Sequence, residues 1–335
     1  MITVKPFCSS TDGQLIELFT LTNSSGMCAG IINQGAALVS LQPPDRAANF
    51  REVLRQYATP EEYLANNAYL GAIVGRYANR IAKSQFTLDD NVYKLNANLP
   101  KFTLHGGTEG FSQRFWDAKI VGNTLEMSLE SPDGDQGFPG HLRVKVVYAL
   151  HDDNALTIDY YAESDRATVI NLTNHAYFNL SGSGDIDEHE FFINADSYTE
   201  SDVNKIPTGT ILSLDNTTLD LREPANIAAV LRECSGELAL TRGFDHNYIL
   251  NHNCASLRVP AATASSATTG IVMELFTTEP AVQFYTSLGL DGKYNSFCFE
   301  AQHFPDSPNH ADFPSTTLRA GDIYRQNTVL RFNVI

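Results

Sequence analysis

The sequence predicts an all-β chain, folded as a large antiparallel β-sandwich with a few short helices. Three observations carry this. Apolar and polar residues alternate with a period of two along many segments, as in strands that bury one face. Helix start and stop signals are sparse. Clusters of Gly, Pro, Asp and Asn separate the alternating segments. Many strands with few helices favour packed antiparallel sheets. The 335 residues show no repeat, no low-complexity linker and no shift of composition, so a single domain over residues 1–335 is expected.

Along the chain, the first helix signal is Thr59-Pro60-Glu61-Glu62, with an N-cap threonine, a proline at the first helical position and a capping-box glutamate. It predicts a short helix over Thr59–Ala65. Leu125, Met127 and Leu129 then alternate with Glu126, Ser128 and Glu130, and Leu142, Val144 and Val146 with Arg143 and Lys145. Between them Pro132–Gly140 is a turn-rich break. Leu156, Ile158, Tyr160 and Ala162 mark another strand, and Asn226–Glu233, after Pro224, a second helix. Ile271–Thr277 and Val282–Thr286 are further strands, Leu290–Lys293 a turn, and Leu330, Phe332 and Val334 a last strand. Two long polar loops, Ser181–Glu190 and Gln302–Thr317, have the length of functional or mobile loops and are expected to roof a ligand site on a concave sheet.

Composition narrows the partner. Hydrophobic residues make up 43% and charged residues 19%, ordinary for a soluble globular chain. A formal net charge of −16 disfavours nucleic acid and anionic membrane, leaving a neutral or cationic small molecule as the easier guest. No apolar run approaches the ~20 residues that span a bilayer, and Met1–Phe7 lacks the basic-then-apolar order of a signal peptide. Cys8, Cys28, Cys234, Cys254 and Cys298 are odd in number and scattered, which reads as reduced thiols in a cytoplasmic protein.

Five places concentrate chemistry. Asn79 and Arg80 set an amide beside a guanidinium fork that can orient neighbouring hydroxyls, or are a surface arginine after a turn. His105-Gly106-Gly107 allows a ligand close to the backbone, or is an ordinary Gly-Gly turn. His175 is the near-neutral titrator in Asn171–Gly182, where Asn171, Thr173, Asn174 and Asn179 offer hydrogen bonds and Tyr177 and Phe178 flat faces, a mixture suited to a polyhydroxylated ligand. Asp245 and His246 open a strand, so alternation sends them to opposite faces. Asp245 can accept sugar hydroxyls or orient a histidine; the bland alternative is a loop-end aspartate with His246 facing solvent. Glu300 interrupts an aromatic-rich strand, with Gln302 two residues on, and a carboxylate buried there becomes a base of raised pKa or a ligand anchor. Neither His246 with His252 nor His303 with His310 has metal-ligand spacing, so no metal and no cofactor are expected.

Taken together, these fragments resemble the aldose 1-epimerase (galactose mutarotase) family. The matches run in order through Gly75-Arg-Tyr-Ala-Asn-Arg-Ile81, Leu104-His-Gly-Gly107, Asp133-Gly-Asp-Gln-Gly-Phe-Pro-Gly140, Asn171-Leu-Thr-Asn-His-Ala-Tyr-Phe-Asn-Leu180, Ile206-Pro-Thr-Gly209, Gly243-Phe-Asp-His246, Gln283-Phe-Tyr-Thr286 and Glu300-Ala-Gln-His-Phe-Pro-Asp-Ser-Pro-Asn309. The resemblance implies a mutarotase-like supersandwich that interconverts α and β anomers of free aldohexoses such as glucose and galactose, serving hexose and galactose metabolism. It implies Glu300 as catalytic base and His175 as catalytic acid. It gives Asn79, Arg80, His105, Asp245 and Gln283 sugar-binding or orienting roles, with Tyr177 a weaker candidate. The partner is a small free sugar, and the chain is expected to be a monomer or weak homodimer.

A neighbouring carboxylate, Asp245 or Glu300, is expected to favour the imidazolium of His175. Phe244, the Leu219–Arg222 stretch and the short Thr286–Phe297 segment depart from the common pattern, the last with scope to reshape one wall of the cleft. Three rivals remain. A glycoside hydrolase would use Asp245 and Glu300 as its carboxylate pair. The others are a non-catalytic sugar-binding module and a hexose-6-phosphate epimerase, for which Arg76 and Arg80 are the available cations.

Overall fold

Two antiparallel sheets hold most of the strand residues. The larger has nine strands in the order Asp117–Val121, Thr124–Ser131, Leu142–Leu150, Ala155–Ser164, Tyr324–Val334, Ile271–Thr277, Ala262–Ser266, His189–Ile193 and Ala225–Asn226. The smaller has five: Pro207–Ser213, Ala195–Ser201, Asp245–Leu250, Ala281–Leu288 and Tyr294–Gln302. A four-stranded sheet over Ile2–Ser9, Leu15–Thr22, Cys28–Ile32 and Leu38–Gln42 precedes them. The computed structural model describes residues 1–233 and 235–335, so Cys234 lies outside the described residues.

The alternation works as predicted. Leu142, Val144, Val146, Tyr148 and Leu150 are buried while Arg143 faces water, because successive side chains of a strand point to opposite faces. Leu125, Met127, Leu156, Ile158, Tyr160, Leu330 and Phe332 join them in one apolar core, which continues into Phe284, Phe297 and Phe299 of the smaller sheet and Phe19 and Ile31 of the N-terminal one. Gln326 Nε2 ties the two large sheets directly by donating to Ala301 O at 3.1 Å.

The helices differ in detail from expectation. Regular helix covers Glu62–Ala65 only. Glu62 does close half of the capping box, accepting the Thr59 N–H at 2.9 Å. Residues 59–61 instead form tight turns, with Tyr63 N–H bonded to Pro60 O at 3.2 Å. The second helix runs over Ala228–Glu233, started by Asn226 Oδ1 accepting the Ala228 N–H at 2.9 Å. A third, Glu237–Thr241, carried no sequence signal.

The two long loops do not roof a site. In the Gln302–Thr317 stretch, Asp306 Oδ1 accepts the Ala82 N–H at 2.9 Å and its own N–H donates to Arg80 O at 2.8 Å, so the loop braces the Arg80–Ala82 strand from behind. In Ser181–Glu190, Glu188 turns back onto Ser181 and Ser266. Both spend their polar groups on the chain itself.

Candidate active site

Strand register builds the floor of the cleft. Asp245 stands opposite Tyr285, Cys298 opposite Tyr285 on its other side, and Gln283 opposite Glu300. Residues directly opposite one another share a face, so Asp245, Gln283, Tyr285, Cys298 and Glu300 all present to one side of the sheet. His246 goes to the other side, as alternation requires. There it is buried rather than solvent-facing, with Nε2 3.7 Å from Glu237 Oε2.

The His175 segment is laid beside this floor by backbone. Phe178 N–H donates to Phe297 O at 2.7 Å and Phe297 N–H returns to Phe178 O at 2.9 Å. His175 and Tyr177, two residues apart, project together, their rings stacked at 5.0 Å. The amides around them are not offered to a ligand. Asn171 Nδ2 donates to Ala78 O and His303 O, Asn174 Nδ2 to Gly71 O, and Asn179 Nδ2 to Gly184 O and Asn295 O. They splice the segment to its neighbours, since a buried amide left unpaired is costly.

The Gly-Gly motif likewise serves the backbone. A Cβ on Gly106 would lie 1.9 Å from Gly75 O, and Gly106 has φ +88°, so glycine is required for two chain segments to approach. That approach sets His105 beside Asn79, whose N–H donates to His105 Nδ1 at 3.1 Å. With Nδ1 accepting, the ring proton sits on Nε2, and His105 is a fixed donor. Asn79 Oδ1 in turn accepts from Arg80 Nη1 at 3.1 Å.

The resulting cleft has a volume of about 240 Å³ and brings together Asn79, Arg80, His105, His175, Tyr177, Asp245 and Glu300. Gln283 lies beneath it, with Nε2 donating to Asp245 Oδ1 at 2.6 Å, an anchor for that carboxylate. Sequence reasoning missed Lys205, Tyr69 and Tyr285, which also line the cleft. Lys205 Nζ is 2.8 Å from Asp245 Oδ2, and the Tyr69 ring packs on His105 at 4.6 Å and on His175 at 5.9 Å. Lys205 immediately precedes the matched Ile206-Pro-Thr-Gly209, the one signal that marked its neighbourhood. Arg76 is absent from the cleft. It is fully buried, and its guanidinium donates to Ser131, Pro139 O, Gly140 O and Thr168.

Electrostatics divide the two carboxylates. Burial alone would push Asp245 up, but Arg80, Lys205 and the Gln283 hydrogen bond hold it well below the usual carboxylate range. Glu300 Oε2 has no hydrogen-bond partner among the described residues. Burial first, then the negative Asp245, push it up to about 8, with Arg80 opposing. Its Oε2 is buried without a hydrogen bond and lies 3.6 Å from His175 Nε2. Burial lowers His175 to about 4, although Asp245 pulls the other way. The expected imidazolium is therefore not the resting state. Desolvation outweighs the pull of Asp245 and favours a protonated Glu300 beside a neutral ring.

A metal is tested by the donor set. The ligand atoms of His105, His175 and Glu300 lie within 4.8 Å of one another. His105 spoils the set, because its Nδ1 is engaged by the Asn79 N–H and its Nε2 carries the proton, leaving no free lone pair.

Comparison with known proteins gives the family and the fold. The rat galactose mutarotase is 39% identical over 335 residues, covering 96% of this chain and 95% of the relative. The aldose 1-epimerase of Escherichia coli K12 is 37% identical, covering 96% of each chain. The crystal structure of galactose 1-epimerase from Lactobacillus acidophilus NCFM superposes with a TM-score of 0.89 at 26% identity, over 100% of this chain and 99% of that one. The family model described as aldose 1-epimerase matches residues 17–331, and the chain belongs to the aldose 1-epimerase family.

Proposed function

We propose that the protein interconverts the α and β anomers of free aldohexoses, glucose and galactose, by general acid–base ring opening and closure at Glu300 and His175. The observation that carries this is the buried Glu300 carboxyl, raised to about 8, with an unpaired oxygen facing His175 Nε2 at 3.6 Å. A cleft of about 240 Å³, below the ~300–1,000 Å³ of sites for drug-sized ligands, suits a single sugar ring.

Ring opening needs a proton taken from the C1 hydroxyl and one given to the ring oxygen. Ionised Glu300 takes the first and protonated His175 gives the second. The products are the open aldehyde, a protonated Glu300 and a neutral His175. After rotation about C1–C2, closure on the other carbonyl face runs the same transfers backwards. The pair thus carries one exchangeable proton throughout, and a raised Glu300 beside a lowered His175 favours the arrangement of the open-chain stage. Burial makes ionised Glu300 a stronger base, and protonated His175 a stronger acid, than either is in water. Arg80, His105 and Asp245 orient the hydroxyls, and no cofactor is required because nothing is oxidised or transferred.

Asp245 is spent on Arg80, Lys205 and Gln283, which fits an anchor better than the nucleophile of a glycoside hydrolase. The cations available for a 6-phosphate reduce to Arg80 and Lys205, both already facing Asp245. All proposed groups, from Asn79 to Glu300, come from one chain, so we place it as a single functional unit, monomer or weak homodimer. The free thiols of Cys8, Cys28, Cys254 and Cys298 support a cytoplasmic setting that feeds hexose and galactose breakdown. No helix among the described residues is long and apolar enough to cross a membrane.

Polarimetry of freshly dissolved α-D-glucose and α-D-galactose tests the reading. The wild type should speed the approach to rotational equilibrium, and Glu300→Gln and His175→Asn should each lose most of that turnover while remaining folded. Near wild-type rates in either variant would remove that residue from the mechanism.

A further inference from the structure

Two histidines face the cleft, and their Nδ1 atoms meet opposite chemistry. His105 Nδ1 meets a backbone N–H, which fixes the proton on Nε2. His175 Nδ1 meets the sulfur of Cys298 at 3.7 Å. We infer that Cys298 is a positioning residue for His175, its sulfur accepting the Nδ1–H so that the bare Nε2 of the neutral ring is held toward Glu300. This rests on the reading of Glu300 and His175 as a pair that shares one proton.

The need for such a residue follows from imidazole chemistry. A ring that gives and takes a proton at Nε2 must keep its other proton on Nδ1 throughout. If the neutral ring held its proton on Nε2 instead, it would present no lone pair to Glu300 and the exchange would stop. A buried N–H needs an acceptor, and the Cys298 sulfur stands beside Nδ1 in addition to a hydrogen bond between the ring and its own backbone. Strand geometry puts it there: Cys298 is two residues before Glu300 on Tyr294–Gln302, on the same face. One strand therefore supplies both the base and the group that holds the acid.

The choice of sulfur has a consequence. In Ser-His-Asp sites a carboxylate takes the Nδ1–H and stabilises the imidazolium. Cys298 is fully buried, and that burial, followed by the charges of Glu300 and Asp245, raises its thiol well above the ordinary value, so it faces His175 as a neutral, weak acceptor. It orients the ring without stabilising its charge, and His175 gives its proton up readily. The rest of the ring is packed by Tyr69, His105 and Tyr177, and Glu300 Oε2 lies 3.6 Å from Nε2.

The test combines nitrogen NMR of ¹⁵N-histidine-labelled protein with kinetics of Cys298→Ala and Cys298→Ser. The His175 signals are assigned by their loss in His175→Asn. At pH 7 the wild-type ring should be the neutral Nδ1–H form. Cys298→Ala should lower kcat about 10–100-fold, the usual scale for losing a histidine's orienting partner, with KM changed by less than about twofold. Cys298→Ser, whose hydroxyl can accept in the same place, should recover most of kcat. An Nε2–H ring in the wild type, an unchanged kcat in Cys298→Ala, or a serine variant no better than alanine would each overturn the inference. Should Cys298→Ala fail to fold, the wild-type spectrum and the serine variant decide. A wild type that accelerates no aldose would instead defeat the functional reading, while its spectrum would still report which nitrogen Cys298 holds.

Discussion

Lys205 Nζ lies 2.8 Å from Asp245 Oδ2 and completes a ring of donors around that carboxylate. Arg80 Nη2 approaches the same oxygen at 3.5 Å, and Gln283 Nε2 holds the other at 2.6 Å. Two positive charges and an amide thus keep a buried carboxylate ionised and aimed. Asp245 can then orient a sugar while its charge raises Glu300 from a distance.

Lys205→Met removes one side of that clamp. It should raise KM for aldoses about tenfold, the effect of one charge-assisted hydrogen bond of ~1.5 kcal/mol, and leave kcat within about twofold. Lys205→Arg should keep most of the affinity. Michaelis curves from polarimetry check this; a loss confined to kcat would put Lys205 in the proton-transfer step.

The pH profile of kcat/KM follows from the shared proton. Below about 4, where His175 binds a second proton beside protonated Glu300, the pair has no base. Above about 8, where Glu300 loses its proton beside a neutral ring, it has no acid. A bell with a plateau between these limits is expected. A single limb near the ordinary carboxylate value of ~4.3 would show that Glu300 is not held in a dry site.

Stability should move against function. Glu300 titrates near 8 in the folded chain and near ~4.3 when unfolded. Between those values the folded state binds the extra proton, so its stability falls as pH rises. Glu300→Gln keeps the shape of the protonated carboxyl and cannot ionise. Its Tm should match the wild type near pH 4 and exceed it increasingly toward pH 8, at about 2–4 °C per kcal/mol for a chain somewhat smaller than this one. Thermal melts across that range check it; equal melting temperatures at pH 8 would mean the Glu300 charge is not penalised.

Much of the architecture was legible because burial on one face leaves a period of two in the sequence, as at Leu142–Leu150 and Leu156–Ala162. Short motifs likewise pointed to seven residues that meet in the cleft. Other readings failed for physical reasons that no local pattern carries. Gly106 serves the approach of Gly75 O, not of a ligand. Asn171, Asn174 and Asn179 look like sugar ligands, yet their amides are spent on carbonyls of distant segments. Arg76 sits four residues from Arg80 and is buried in a cage of carbonyl and hydroxyl oxygens.

By itself the sequence determined the class of fold and the family, and its ordered motifs singled out Glu300 and His175 as the pair proposed here for acid–base work. Only the tertiary structure decided where protons and charges reside. The raised Glu300 carboxyl beside a lowered His175, the backbone N–H on His105 Nδ1, and the clamp of Lys205 on Asp245 arise from burial and from contacts between residues up to 165 positions apart, such as Arg80 and Asp245. Desolvation and hydrogen bonding act through space, and strand register, not sequence neighbourhood, sets which groups share that space.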